Sequence, residues 1–452
     1  MTTYSIVRNQ LAIDSPIGHA EELAYLTHYL HLHDTNVSSY YEQRANAYFD
    51  SLPLNLVEEG LQQLLPLNWD VPFPAPSSPE FTFIDLFAGI GGFRLPFQEL
   101  GGQCVFTSEF NPHAQRTYEA NFGEVPFGDI TKLNLSIVPP HDVLCAGFPC
   151  QPFSISGKMK GFEDTRGTLI YYVFQIIDEQ KPKVVFLENV KHLIHHDKGR
   201  TLQTIVQHLD ELGYDVSWKL LNASNFGVPQ NRERVIIIGH ERKSFDFSRL
   251  TKTPRLVLKD ILETAGDFEF MDEPYTILDN QRVQESGLLF AGYRNKKIRV
   301  AGVRPGTEHL SRVHKQPNRI YSSEGVHPAL PSQESSGRFW IHHEGEVRKL
   351  TIKECYRIMG FPDPFLIHSN KSEAYRQIGN SVCVPMIKQI GIQIKQQLLA
   401  KSDDQPNTNA IFREFVLTDP SQFIEKYVNL VEVDGALKFE HKKRWNELVA
   451  SL

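Results

Sequence analysis

The sequence predicts an α/β fold: a doubly wound, mostly parallel sheet with an inserted, loop-rich smaller domain. Three observations predict it. From residue 81, short apolar runs recur as FTFIDLF, CVFTSEF, DVLCAGF, VVFLEN and RVIIIG. They are continuous rather than alternating, the pattern of strands covered by helices on both faces. Helical patterns such as LIYYVFQIIDEQ and TLQTIVQHLDELG lie between them, as crossover connections of a parallel sheet require. Periodicity then fades near 250 and returns only at TIKECYRIMGF and VPMIKQIGIQIKQQLLA, where Ile387, Ile390, Ile394 and Leu398 line one helix face.

Five segments follow. Residues 1–78 are an acidic, helical N-terminal extension ending in a proline-rich linker. Residues 79–250 form the main α/β domain, 251–345 the inserted domain, and 346–400 complete the first. Residues 401–452 are a tail of about one or two helices.

Composition narrows the partners. The net charge of -7 argues against nucleic acid, but its distribution reverses that. Residues 1–80 hold ten acidic residues and only Arg8 and Arg44, which leaves the remainder at +1. The densest basic stretch runs from Tyr293 to Arg319 and carries Arg294, Lys296, Arg299, Arg304, Arg312 and Arg319 among its cations, against the single acid Glu308. Such a stretch can grip a phosphate backbone. Five scattered cysteines without a CxxC pair fit a reducing cytoplasm and no structural zinc. No membrane-length apolar run or signal-peptide core appears, so a cytoplasmic protein is expected. His28, His31 and His33 have no accompanying ligands and read as helix-surface histidines; no metal is expected.

Four constellations carry chemistry. In FIDLFAGIGGF, a strand ends at Phe87 and Ala88, Gly89, Ile90, Gly91 and Gly92 follow. Glycines there let backbone pass close to a ligand, and Glu109, twenty residues after Gly89, stands where an acid can accept ribose hydroxyls. The absence of GxGxxG disfavours a nicotinamide oxidoreductase. In AGFPCQPFSISG, Cys150 follows a buried strand between Pro149 and Gln151-Pro152, in a stiffened turn that faces the crevice. Cys104, Cys145, Cys355 and Cys383 read as small buried hydrophobes. In FLENV, Glu188 ends an apolar run, so burial should raise its pKa. In PQNRERVIIIG, Arg232 and Arg234 alternate before a strand, on one face. If that strand runs antiparallel to the rest, both arginines reach the edge that holds Cys150 and Glu188.

Taken together, residues 81–239 and 346–400 resemble the cytosine-C5 DNA methyltransferase family, of the bacterial restriction-modification type. The matching blocks are DLFAGIGGF, SEFN, GDI, GFPCQPFS, RGTLIYY, LENV, QNRERV and IGNSV, in the family's order. The resemblance implies the class I S-adenosylmethionine-dependent methyltransferase fold, with 251–345 as its target-recognition domain. It implies transfer of a methyl group from S-adenosylmethionine to a flipped-out cytosine of double-stranded DNA, through a Cys150 adduct at carbon 6. Glu188, Arg232 and Arg234 would act with Cys150. Phe87, Ala88, Gly89, Ile90, Gly91, Glu109, Phe110, Asp129, Ile130, Pro149, Leu169, Asn380 and Ser381 would line the cofactor pocket. Gln151, Ser154 and the six cations from Arg294 to Arg319 would touch DNA, the protein binding as a monomer. A paired restriction endonuclease is left open. Where many relatives have Thr-Leu, this chain reads Ala329-Leu330. The rivals are an RNA cytosine-C5 methyltransferase and a catalytically silent DNA-binding relative. The intact cysteine, glutamate and arginines argue against the second.

Overall fold

The structure, a computed structural model, describes residues 20–32, 35–51, 71–149, 169–294, 316–399, 428–433 and 436–441. Each apolar run named above becomes a strand of one sheet. Its members are β1 (Phe81–Leu86), β2 (Gly102–Ser108), β3 (Val143–Gly147), β4 (Val184–Val190), β5 (Asp215–Asn222) and β6 (Glu233–His240), in spatial order β2-β1-β3-β4-β6-β5. β1 to β4 are mutually parallel, and β6 runs antiparallel to both β4 and β5. The start of β6 therefore lies beside the end of β4, with Arg234 in register with Val190. The turns after β1, β2, β3 and β4 open at this same edge, where ligands bind in open α/β sheets.

β5 was not expected. Its sequence, DVSWKLLN, mixes polar and apolar residues because it is an edge strand paired only with β6, and Trp218 is 45% exposed. Without burial on both faces there is no continuous apolar run to read.

Alternating strand residues feed two cores. Ile84, Leu86, Leu144, Val185, Leu187 and Ile237 face one cluster, with helices Leu169–Gln180 and Arg200–Glu211. Phe83, Val143, Cys145, Phe186, Ile236 and Ile238 face the other, with helix Val384–Ile394. Ile387, Ile390, Ile394 and Leu398 are all buried there. Cys104, Cys145, Cys355 and Cys383 are buried free thiols.

Helices α1 (Ala20–Leu32) and α2 (Ser39–Ser51) pack into the first cluster, where Leu23, Leu26 and Leu30 join Phe106 and Phe127. The reading of His28 and His31 as surface residues fails. His28 is fully buried and burial lowers its pKa; burial pushes His31 down to about 3. Glu124 and the Gly123 backbone supply their partners, and no feature of α1 alone announces them.

The inserted segment forms a second sheet from Tyr275–Ile277, Phe290–Arg294, Arg319–Ser322, Trp340–His343 and Glu346–Lys349. Its last strand lies beyond the boundary drawn at 345. Its apolar centre is small: Ala291, Ile320 and Val347. In the tail, Val428–Val433 pairs antiparallel with Ala436–His441, where helices were expected. VNLVEV and ALKFEH are rich in β-branched or alternating residues, a period-two signal that the helical reading passed over. Among the described residues, no helix is long and apolar enough to cross a membrane.

Candidate active site

At the end of β1 the chain turns through Phe87, Gly89 and Gly91, all with left-handed backbone at φ 56°, 57° and 85°. That conformation costs a residue with a side chain roughly 1–2 kcal/mol, which Phe87 bears. A Cβ on Gly91 would fall 2.2 Å from the Phe122 ring, and one on Gly92 would fall 2.7 Å from Val382 and 2.8 Å from the Ser381 hydroxyl. The turn thus passes between Phe122 and the returning 381–382 segment, and only glycine fits. At Gly89 and Gly128 a Cβ would meet no described atom within 4 Å, so both border open space.

Glu109 follows β2 and is 7% exposed. Its oxygens accept from the backbone N–H groups of Gly89 at 2.9 Å and Asn111 at 2.8 Å. Burial raises its pKa, and these hydrogen bonds oppose that. Next to it Phe110 is 73% exposed, a free ring for stacking at the mouth of the turn. Other residues chosen from sequence present backbone only. Ile90 and Ile130 are 1% and 2% exposed, with side chains in the core, and Ala88 gives its N–H to the Ser108 carbonyl at 3.0 Å. Asp129 is occupied locally, accepting from the N–H of Thr131 at 3.0 Å and its hydroxyl at 2.8 Å. Asn380 is exposed at the end of helix Lys371–Asn380, and Ser381 caps it.

Glu188 lies near the end of β4, 7% exposed, with Arg234 Nε 2.8 Å from Oε1. Burial raises the Glu188 pKa above the ordinary carboxylate range, against the pull of Arg234 and Arg232. Arg232 takes a different part from the one expected. It is 2% exposed and donates to the carbonyls of Ser381 at 2.6 Å, Gly379 at 2.9 Å and Leu330 at 3.4 Å. Only its charge reaches Glu188. The reason is that residues 230–231 pair with 327–328 rather than with β4, so one strand's alternation does not extend through Arg232. Leu330, of the Ala-Leu departure, is thereby part of the site.

Asn189 connects the acid to the cysteine turn. Its Nδ2 donates to the Phe148 carbonyl at 2.9 Å, and its Oδ1 accepts from Val190 N–H at 2.8 Å. Phe148 is buried and Pro149 exposed. Cys150, Gln151 and Ser154 lie outside the described residues.

Comparison with known proteins gives the family. Residues 81–396 match the family described as C-5 cytosine-specific DNA methylase. The chain belongs to that family. Type II methyltransferase M.HhaI of Haemophilus parahaemolyticus is 40% identical to this methylase over 329 residues, 70% of this chain and 94% of the relative. M.HpaII of Haemophilus parainfluenzae is 44% identical over 333 residues, covering 71% and 90%. Among solved structures, a putative DNA modification methyltransferase encoded within an E. coli prophage superposes with a TM-score of 0.51 at 21% identity, covering 71% of this chain and 99% of that one. That likeness bears on the fold, which is the class I methyltransferase fold. The methylase is a DNA (cytosine-5-)-methyltransferase.

The remaining sequence-chosen residues are scattered. Leu169 opens its helix, half-buried. Arg294, read as a DNA contact, is ion-paired with Glu273 at 2.6 Å and lies over the Trp340 ring, so the domain already uses its charge. Arg319 lies over the Phe290 ring and stands in register with Tyr293. Lys296, Arg299, Arg304 and Arg312 lie outside the described residues. Sequence reasoning missed Asn189 and Asp85. Asp85 is fully buried, and burial pushes its pKa to about 8 against the opposing pull of Arg94. The signal was available, since Asp85 is a carboxylate set inside the apolar run FTFIDLF.

Proposed function

We propose that this methylase transfers a methyl group from S-adenosylmethionine to carbon 5 of a cytosine rotated out of double-stranded DNA, in a defined sequence. The observation that carries it is the buried Glu188–Arg234 pair beside the turn leading to Cys150. The cofactor fits the crevice residues: open space at Gly89 and Gly128, an acid at Glu109 for ribose hydroxyls, and the exposed Phe110 ring for adenine. S-adenosylmethionine supplies the activated methyl group when bound. Phe87, Gly91, Pro149, Asn380 and Ser381 complete that pocket in this reading.

The chain's own residues do the rest. The Cys150 thiolate adds to carbon 6, which makes carbon 5 nucleophilic. Glu188, whose pKa burial raises, hydrogen-bonds N3 and the exocyclic amine and stabilises charge developing on the ring. Arg234 holds the Glu188 carboxyl and reaches the ring oxygen, and Arg232 fixes the segment closing the site. After methylation, loss of the carbon-5 proton expels Cys150. Rotation out of the stack is required because carbon 6 and carbon 5 cannot both be reached inside a duplex.

Duplex DNA carrying 5-fluorocytosine at the target should trap the protein covalently in the presence of cofactor, because fluorine in place of the proton blocks release. Absence of a denaturant-stable complex overturns the mechanism. The native complex should hold one chain per duplex. Residues 251–345, with Gln151 and Ser154, are proposed to read the target. Exchanging 251–345 for a relative's should move the site found by bisulfite sequencing, and an unmoved site places specificity elsewhere. The Type II names of the relatives support a restriction-modification role in the cytoplasm. Modified DNA should then resist an endonuclease of the same target.

A further inference from the structure

Helices α1 and α2 precede the family-matched span, yet they hold one part of the crevice directly. We propose that they are a positioning element for the cofactor half of the site, acting through residues 124–129. The inference rests on the reading of that crevice as the S-adenosylmethionine pocket.

Residues 124–129 run from the end of helix Pro112–Phe122 to Asp129. Their outward contacts come from the N-terminal pair. The Val125 N–H donates to Thr27 Oγ1 at 3.0 Å. Glu124 lies between Arg94 Nη1 at 2.8 Å and His28 Nε2 at 3.2 Å, and all three side chains are fully buried. The Phe127 ring is surrounded by Tyr25 at 5.0 Å, His28 at 4.7 Å and Tyr41 at 6.0 Å, with Phe106 of β2 stacked on it at 5.1 Å. Three of those four rings belong to α1 and α2. Tyr41 also donates its hydroxyl to the Val105 carbonyl of β2 at 2.5 Å, so the pair is fixed to the strand that leads into Glu109.

The inward contacts lead to the crevice. Phe127 N–H donates to the Thr107 carbonyl at 2.9 Å, and the Phe127 carbonyl accepts from Glu109 N–H at 2.8 Å. Glu109 in turn holds Gly89. Arg94, the other partner of Glu124, follows the glycine turn by two residues. A shift of Phe127 or Glu124 is therefore passed to both sides of the pocket, through packed groups that have little room to absorb it. A simple cover over the β2 edge needs apolar contact. It does not need an acid held between an arginine and a histidine, nor a threonine bonded to the backbone four residues before Asp129.

The test uses the full chain. Calorimetry gives the Kd for S-adenosylmethionine, and mass-detected hydrogen exchange gives protection across residues 124–130. Thr27→Val and His28→Ala should each weaken cofactor binding about tenfold and speed exchange in that segment, with duplex affinity unchanged. His28→Gln, which places an amide N–H beside Glu124, should restore most of the loss. Lowered melting temperature with unchanged cofactor affinity would make the helices a stabilising cover only and overturn the proposal. If His28→Ala does not fold, Thr27→Val and Tyr25→Leu decide by the same two measurements. Failure of the wild-type chain to bind S-adenosylmethionine overturns the pocket reading instead, so the two failures are distinct.

Discussion

Replacing Cys150 with alanine should remove methyl transfer and leave duplex binding in place. Neutral cytosine has little nucleophilicity at carbon 5, and only addition at carbon 6 supplies it. Without the thiolate, the other groups at the site have no adduct to stabilise. A loss on the order of 10⁶ is the scale set by removing a covalent nucleophile from a coupled catalytic unit. Binding depends on groups the substitution does not touch. Incorporation of labelled methyl groups and a gel shift on the same sample measure the two effects. Turnover near wild type would show that the nucleophile is not Cys150. The support for Cys150 comes from its neighbours: Asn189 fixes the Phe148 carbonyl, two residues before it, and Glu188 is the next residue back along β4.

Glu188→Gln is the second large effect. The amide keeps the shape but cannot give up or take a proton, so a loss of about 10²–10⁴ is expected. Its pH dependence is the sharper readout. Burial raises the Glu188 pKa, so the carboxyl stays protonated further toward neutral pH than an ordinary glutamate. If the protonated form is the active one, the wild-type rate falls as pH rises through that raised pKa. The Gln variant should lack this falling limb. A variant that keeps the limb would assign the ionisation to another group. Arg234, left without a charged partner at 12% exposure, adds a stability cost, and the melting temperature should be recorded beside the rate.

Much of this was legible in the sequence for a physical reason. β1, β3, β4 and β6 are buried on both faces, and so are written as unbroken apolar runs. Glu188, Glu109 and Cys150 stand where those runs stop, which is where a sheet presents residues to a ligand. What was not legible depends on long-range partners. Arg232 looked equivalent to Arg234 because only spacing was visible; its carbonyl acceptors lie in residues 330, 379 and 381. His28 looked like a surface residue because its partner, Glu124, is nearly a hundred positions away. β5 escaped because half of it faces water. Arg294 looked free because Glu273 belongs to a segment without periodicity.

The bonds from Arg232 to Gly379 and Ser381 span 147 and 149 residues of chain. During synthesis Cys150, Glu188, Arg234 and the inserted domain are all made before those two carbonyls exist. Until they arrive, Arg232 is a guanidinium headed for burial with only the more distant Leu330 carbonyl to accept from it, a state that favours the open chain. In the proposed reading, closure of the site therefore waits for residues 379 and 381. A product truncated before residue 379 is expected to transfer no methyl group, as incorporation of labelled methyl would show.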